Sequence, residues 1–513
     1  MNIDLRLRQQ PQHAEQRGKE LSFRLNEKTI HAYEGETVGA ALHAAGVKIL
    51  SRSVKYHRPR GLFCTAGNCP NCLMQVDGVP NVRVCVEPAR EGMEVRSQTG
   101  WPSVQFDLFA ALDSLGFLFP VGFPYRYFIR PRWLYRWWEW LLRQMSGHGE
   151  LSERLDVRET PTGKKVEAQT DVAVVGAGPA GLAAAHAAAA TGVQVTLIDE
   201  GPQLGGSLRA DTSCYSARRA YTGLRGHEIA RKLIDSLSAN STLQIYSAAT
   251  AFGIYDSRVL GVRQKDTLVK LAARRIIVAT GAYENPLVAD DWDRPGVLLA
   301  TGVQRMLHLW RMRPGKAAVV VGTDDLGLMV AAQLLEAGVE IKAVADSRMR
   351  LNETLAEVEL LRAHGVPLLT LHSLKAVQGR SCVIGAELAR FDSTRQLAEG
   401  SELRLPCDTI VLAPGLVPAN ELIFHATARG SYVLEASGAL TRVPYREEDM
   451  GVDEGLYVAG NAASIGDPND LEKALLEGEI AGLSAAHSLG AGGVEVENQL
   501  ERTRRALAAK RGQ

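Results

Sequence analysis

Apolar and polar residues alternate through Leu21-Ser-Phe-Arg-Leu25 and again through Thr29-Ile-His-Ala-Tyr33, on either side of a polar Asn26-Glu27-Lys28. A period of two places alternate side chains on one face, so this stretch predicts a β-hairpin. Glu34-Gly35-Glu36-Thr37 reads as a cap for a short alanine-rich helix, Val38 to Ala45, which Gly46 ends. A second strand pair is expected at Leu73–Val76 and Val82–Cys85, turning at Asp77-Gly78. Residues 1–20 read as a flexible polar leader with no apolar run of a secretion signal. From Thr170 short continuous apolar strands alternate with helical stretches. Asp171-Val-Ala-Val-Val175 leads into a glycine turn and an alanine helix, and Val193–Ile198 follows. A similar unit runs from Ala317–Val321 to Val339–Val344, and Thr409–Ala413 returns as a further strand. That alternation is the mark of doubly wound parallel sheets.

Between the two strand pairs lies Cys64-Thr-Ala-Gly-Asn-Cys69-Pro-Asn-Cys72, with Cys85 beyond it, a C-x4-C-x2-C-x12-C spacing. Three thiols on one loop and a fourth on a neighbouring segment can enclose a small inorganic cluster. The first three match the plant-type [2Fe–2S] spacing, although the fourth follows sooner. A zinc site is the rival reading, but it usually shows two close cysteine pairs, and only one stands here. The module therefore reads as a β-grasp ferredoxin-like domain with Cys64, Cys69, Cys72 and Cys85 as cluster ligands.

The stretch after it is crowded with rings: Trp101, Phe106, Phe109, Phe117, Phe119, Phe123, Tyr125, Tyr127, Phe128, Trp133, Tyr135, Trp137, Trp138 and Trp140. They serve either to pack a connector onto its own domains or to form a subunit interface. The longest apolar run, Ser114 to Tyr125, ends at Arg126, Arg130 and Arg132 and is too short to span a bilayer. The charges balance at 58 basic and 58 acidic residues, which gives no footprint for nucleic acid. Cys214, Cys382 and Cys407 are scattered, a pattern of reduced thiols that suggests the cytoplasm, with association at the inner membrane face left open. Cys214 is expected to pack internally. His57 and His186 have no nucleophile or carboxylate partner in view and read as structural.

Gly176-Ala-Gly178-Pro179-Ala180-Gly181 follows a strand and opens a helix, and Asp199-Glu200 ends the next strand. This is the complete dinucleotide-binding fingerprint. Gly176 makes the turn, Gly178 lets a pyrophosphate approach, and Gly181 lets helix and strand pack. The helix N-terminus offers N–H groups to phosphate. Asp199 or Glu200 would take the ribose hydroxyls. Gly205-Gly206, Thr280-Gly281 and Gly460-Asn461 place further small residues where backbone would lie along a long cofactor, and the late Gly460-Asn461 element favours FAD over NAD. In the second unit, Gly322-Thr-Asp324-Asp325-Leu-Gly327 sets acids where a pyrophosphate would lie, though Asp346 stands where a ribose-binding acid belongs. NAD, ATP or no ligand all stay open for that loop. No cysteine pair lies near the flavin loops, which excludes a redox dithiol.

The architecture expected is α/β: a ferredoxin-like domain at 20–99, an aromatic connector at 100–168, an FAD domain made of 169–304 and 405–490, a second nucleotide fold inserted at 305–404, and a tail at 491–513. The order of the Cys loop, the aromatic connector, Asp171–Leu182, Ala279–Leu287, Asp293-Arg-Pro-Gly296, Gly322-Thr-Asp-Asp325 and Gly460-Asn461 resembles the α subunit of heterotetrameric sarcosine oxidase. The Cys loop is closer to the opine oxidase and hydrogen cyanide synthase subunits of that family. The resemblance implies, as partner, a flavin β subunit of the glycine- or sarcosine-oxidase type, with room for small extra subunits and for FMN at a subunit interface. It also implies oxidation of an amine or amino acid, with electrons passing through FAD and the cluster to a quinone or other acceptor. The other functional reading is a self-contained NAD(P)H-dependent reductase; a scaffold without cofactors is a third. No folate domain follows in the sequence, so formaldehyde capture on folate is not expected of this chain.

Overall fold

The computed structural model describes residues 4–7, 17–114, 130–147, 149, 163–215, 221–238, 240–255, 258–285, 287–322, 324–427, 433–434, 440–465 and 470–511. Phe117, Phe119, Phe123, Tyr125, Tyr127 and Phe128 lie outside them. The chain forms two compact units, one from residues 1–160 and 286–415, the other from 161–285 and 416–513.

In the first unit, the hairpin Glu20–Leu25 and Lys28–Tyr33 joins a five-stranded sheet in which Glu20–Leu25 runs parallel to Glu94–Arg96. Leu73–Val76 and Val79–Arg83 complete it. The second strand of that pair starts earlier than the alternation suggests and stops before Cys85, which sits in the following turn. The helix Val38–Ala44 begins at Thr37, whose side chain accepts a hydrogen bond from Ala40 N. All seven helix residues are buried, because small alanines let the helix lie close to the strands.

A second sheet in the same unit is wholly parallel, ordered Val297–Leu299, Thr409–Ala413, Ala317–Gly322, Glu340–Asp346, Leu368–Thr370. Thr409–Ala413 pairs with Val297–Leu299 on one side and Ala317–Gly322 on the other, so all three strands lie in the first unit, which is bounded at 285/286 and 415/416. The two sheets share one apolar core: Phe23, Leu42 and Met74 pack in the same cluster as Leu298, Met306 and Val320. His43 lies inside it, its Nε2–H donating to Pro314 O at 2.9 Å, and burial pushes the imidazole down to about 4.

The expected leader is corrected at its described residues. Leu5 is buried, Arg313 N donates to Leu5 O at 2.9 Å, and the Arg6 guanidinium pairs with Glu36 at 3.1 Å. An apolar residue at each second position and one buried cation partner are too short a pattern to register as a strand.

In the second unit, four parallel strands run in the order Leu243–Tyr246, Val195–Ile198, Lys164–Val175 and Thr267–Val278 inward from one edge of an eight-stranded sheet. Leu456–Val458 adds to Thr267–Val278 in parallel. The helices Pro179–Ala189 and Leu471–His487 pack closely on each other through glycine and alanine; a Cβ at Gly478 would meet Ala180 O at 2.1 Å. Among the described residues no helix is long and apolar enough to cross a membrane.

Candidate functional site

Cys64, Cys72 and Cys85 are buried and Cys69 half-buried. Their thiols touch in a chain: Cys69 with Cys64, Cys64 with Cys85, Cys85 with Cys72. Hydrogen bonds from Cys69 and Cys85, together with the Ala66 and Asn68 backbone N–H groups, hold the Cys64 thiol far below its ordinary range. N–H donors aimed at sulfur favour thiolate, the form that ligates iron. Among the described residues no three His, Cys, Asp or Glu are gathered about a single-ion position. Cys64 with Cys69, and Cys72 with Cys85, are touching pairs, a set that would suit a binuclear centre. The second sheet's own segment supports this loop: Leu299 N donates to Phe63 O at 3.0 Å, and Gly302 lies so near that a Cβ there would be 3.2 Å from Cys64 O.

Close by in sequence, His57 corrects its reading. It is 2% exposed, and its Nδ1 lies 2.7 Å from Asp107 Oδ2, fifty residues away. Asp107 also accepts from Trp101 N and Phe109 N, and Arg52 Nε stands 3.5 Å from it. The buried carboxylate thus ties the start of the aromatic connector to the ferredoxin module, and Thr99 Oγ1 accepts from Arg52 N. His186 is exposed on its helix, and Cys214 is exposed rather than packed.

In the second unit the six-residue glycine loop leaves the strand Lys164–Val175 and enters the helix Pro179–Ala189 with Pro179 at its first turn. Gly176 has φ +101°, and a Cβ there would stand 2.2 Å from Ala279 O. No other residue fits that turn. At Gly178, by contrast, a Cβ would meet nothing within 4 Å. That open face at a helix N-terminus is a cradle a phosphate could fill. A Cβ on Gly181 would stand 1.8 Å from Gly176 O, and one on Gly206 2.7 Å from Gly178 Cα, so Gly206 closes over the loop. Asp199 Oδ2 accepts from Ala177 N at 2.6 Å and Oδ1 from Gly201 N at 2.8 Å, while burial pushes its pKa up. Glu200 is exposed beside it. Of the two acids, Asp199 touches the loop.

Thr280 Oγ1 donates to Ala419 O, and Gly281, at φ +77°, follows on the same turn. Gly460 N donates to Glu477 Oε2 at 3.1 Å, and a Cβ at Gly460 would meet Ala180 Cβ at 2.8 Å. Asn461 is half-buried in the same short turn. Glu477 belongs to no motif that the sequence displays. It is fully buried, with Lys473 Nζ at 3.8 Å, and its only sequence signal is a carboxylate on the small-residue face of the helix Leu471–His487.

The acidic loop of the first unit is organised differently. Asp324 caps the helix Asp325–Glu336 by accepting from Leu326 N, and Arg348 is clamped between Asp325 at 2.6 Å and Asp346 at 2.9 Å. Burial pushes the Asp324 carboxyl from 3.8 up to about 6. Its charge is therefore a cost that is absent below about pH 4, grows as pH rises to about 6 and then stays constant. Asp324→Asn keeps the cap and should raise stability to urea by about 1–3 kcal/mol at pH 8, and by nothing near pH 4. An equal gain at both pH values would show that charge burial is not the cause.

Residues 170–478 match the family described as pyridine nucleotide-disulphide oxidoreductase. The chain belongs to that family. Residues 18–100 match the 2Fe-2S iron-sulfur cluster binding domain, and the cofactors of this oxidoreductase are FAD and a [2Fe–2S] cluster. The alpha subunit of sarcosine oxidase from Rhizobium meliloti (strain 1021) is 32% identical over 86% of this chain and 44% of its own length. An opine oxidase subunit from Agrobacterium tumefaciens (strain Ach5) is 27% identical over 65% of this chain and 69% of its own. The chain thus spans less than half of the sarcosine oxidase subunits it matches. L-proline dehydrogenase from P. horikoshii superposes with a TM-score of 0.61 at 21% identity, covering 95% of this chain and 78% of the other, which shows a shared fold. Despite the family's name, residues 161–285 and 416–513 contain one cysteine, Cys214, and so no dithiol.

Proposed function

We propose that this oxidoreductase is the electron-transfer subunit of a heteromeric FAD-dependent amine or amino-acid dehydrogenase. A separate flavin subunit of the glycine- or sarcosine-oxidase type would oxidise the C–N bond, and a quinone or another acceptor would receive the electrons. The observation that carries this reading is the pairing, in one chain, of a four-thiol cluster loop with a flavin fold that has no dithiol. When bound, FAD would supply both two-electron and one-electron chemistry and the cluster one-electron transfer, which lets a two-electron donor serve a one-electron acceptor.

The chain's own residues bind and orient. Cys64, Cys69, Cys72 and Cys85 would hold the cluster, with Ala66 and Asn68 N–H groups favouring the thiolates. Gly176, Gly178, Pro179, Ala180, Gly181 and Gly206 would form the pyrophosphate cradle, Asp199 and Glu200 the ribose end. Thr280, Gly281, Gly460 and Asn461 would line the remainder, with Glu477 fixing the Gly460 turn. None of these is a general acid or base positioned for amine oxidation, which supports placing that step in the partner. The Arg348 clamp weighs against hydride delivery from a second nucleotide, since it occupies Asp325 and Asp346, the latter at the position of a ribose-binding acid.

Anaerobic stopped-flow absorbance of the holo-chain, with and without its co-purifying partner, tests the reading. Sarcosine, glycine or proline should bleach flavin and cluster only when the partner is present. Rapid bleaching by NADH without the partner would overturn it in favour of a reductase.

A further inference from the structure

The helix Arg132–Ser146 leaves a row of tryptophans uncovered. Trp133, Trp137 and Trp140 are 79%, 51% and 56% exposed. Spaced i, i+4, i+7, they fall within about 60° of one another around the axis. Arg132, Arg136 and Arg143 form a second exposed row within about 40°, a quarter turn away. Leu134, Trp138, Leu141 and Leu142 are half-buried on the other side. The helix ends against the ferredoxin module, where Gly147 approaches Thr99 so closely that a Cβ would lie 2.4 Å from its Cγ2.

Exposed large apolar side chains in a continuous row signal a contact surface. Here the exposed large apolar side chains of the row are tryptophans, whose ring is apolar and whose N–H seeks a polar partner, the combination suited to lipid headgroup depth. The adjacent row carries three arginines, with Glu139 at its edge. From Arg130 to Ser146 there are four arginines and one acid, Glu139, already paired with Arg143 at 3.0 Å, in a chain whose formal charge is zero. A basic, tryptophan-faced amphipathic helix complements an anionic bilayer surface. We propose that the helix Arg132–Ser146 docks this protein on anionic lipid, its tryptophans seated among headgroups and its arginines on lipid phosphates. The ferredoxin module, which the helix meets at Thr99, would then lie near the bilayer, the phase in which a lipid-soluble acceptor dissolves. The docking claim does not depend on which donor the enzyme oxidises.

The test is co-sedimentation of the holo-protein with extruded vesicles, either pure phosphatidylcholine or an equal mixture of phosphatidylcholine and phosphatidylglycerol. The wild-type chain should partition onto the mixed vesicles with a blue shift of tryptophan emission, and high salt should release it. Trp133→Ser/Trp137→Ser/Trp140→Ser should cut partitioning at least tenfold. Arg132→Gln/Arg136→Gln/Arg143→Gln should cut it roughly fivefold per arginine on mixed vesicles and leave the neutral ones unaffected. An unchanged flavin and cluster spectrum shows that the variants are folded. Three results would overturn the proposal: no binding to anionic vesicles, binding that survives the triple tryptophan change, or a vesicle-free dimer or protein complex that dissociates when the tryptophans are removed.

Discussion

Cys72→Ser should purify yellow instead of brown. Cys72 is 1% exposed, its thiol in contact with Cys85, so the substitution would remove one of the four proposed ligands from the interior of the donor set. A hydroxyl does not ionise readily and is a harder donor than thiolate. Altering a mere hydrogen-bond partner of a metal ligand costs about 10–100-fold in affinity, so the loss of a ligand should exceed that. Iron and acid-labile sulfide should fall to background, and reduction by one-electron donors should show no cluster signal in electron paramagnetic resonance. FAD content should stay stoichiometric, because the flavin fold belongs to the other unit. Full iron content in this variant would remove Cys72 from the ligand set.

The second large effect separates packing from ligand contact at two neighbouring glycines. Gly178→Ala places its methyl where the protein has nothing within 4 Å, on backbone of ordinary φ. Stability of the FAD-free protein should be unchanged while FAD affinity falls by more than about tenfold, since only a bound pyrophosphate would meet that methyl. Gly176→Val puts its Cβ 2.2 Å from Ala279 O at φ +101°. Strain and overpacking together should cost about 3–5 kcal/mol, so this variant loses FAD because the loop itself moves. Calorimetry of both apo-proteins with a flavin titration distinguishes them. Undiminished FAD binding by Gly178→Ala would mean that the cofactor does not approach the backbone there.

Much of this was legible in residue order. The alternation at Leu21–Leu25 and Thr29–Tyr33 gave the hairpin to within a residue, and Thr37 caps its helix as its type suggests. Continuous apolar strands and the spacing from Gly176 to Asp199 specified a Rossmann-type sheet, because steric need at a tight turn leaves a trace in the glycines themselves. What escaped are contacts between residues far apart with no periodic signature. His57 and Asp107 meet across fifty positions, and Glu477 reaches Gly460 through a helix that reads only as alanine-rich. Val297–Leu299 joins the parallel sheet of the first unit beside Thr409–Ala413, and a three-residue strand carries too little pattern to announce which sheet it enters. Cys214 failed for the opposite reason: a lone thiol says little about its surroundings, and this one is exposed.

The core shared by Phe23, Leu42 and Met74 with Leu298, Met306 and Val320 sets a timetable for synthesis. The ribosome makes the ferredoxin strands first and the residues that complete their packing about 300 positions later. At about 5–20 residues per second the first strands wait roughly 15–60 s for their apolar cover. During that interval the Cys loop also lacks the support of Leu299 and Gly302. The Cys loop therefore takes its final support only after residues 297–302 have been made.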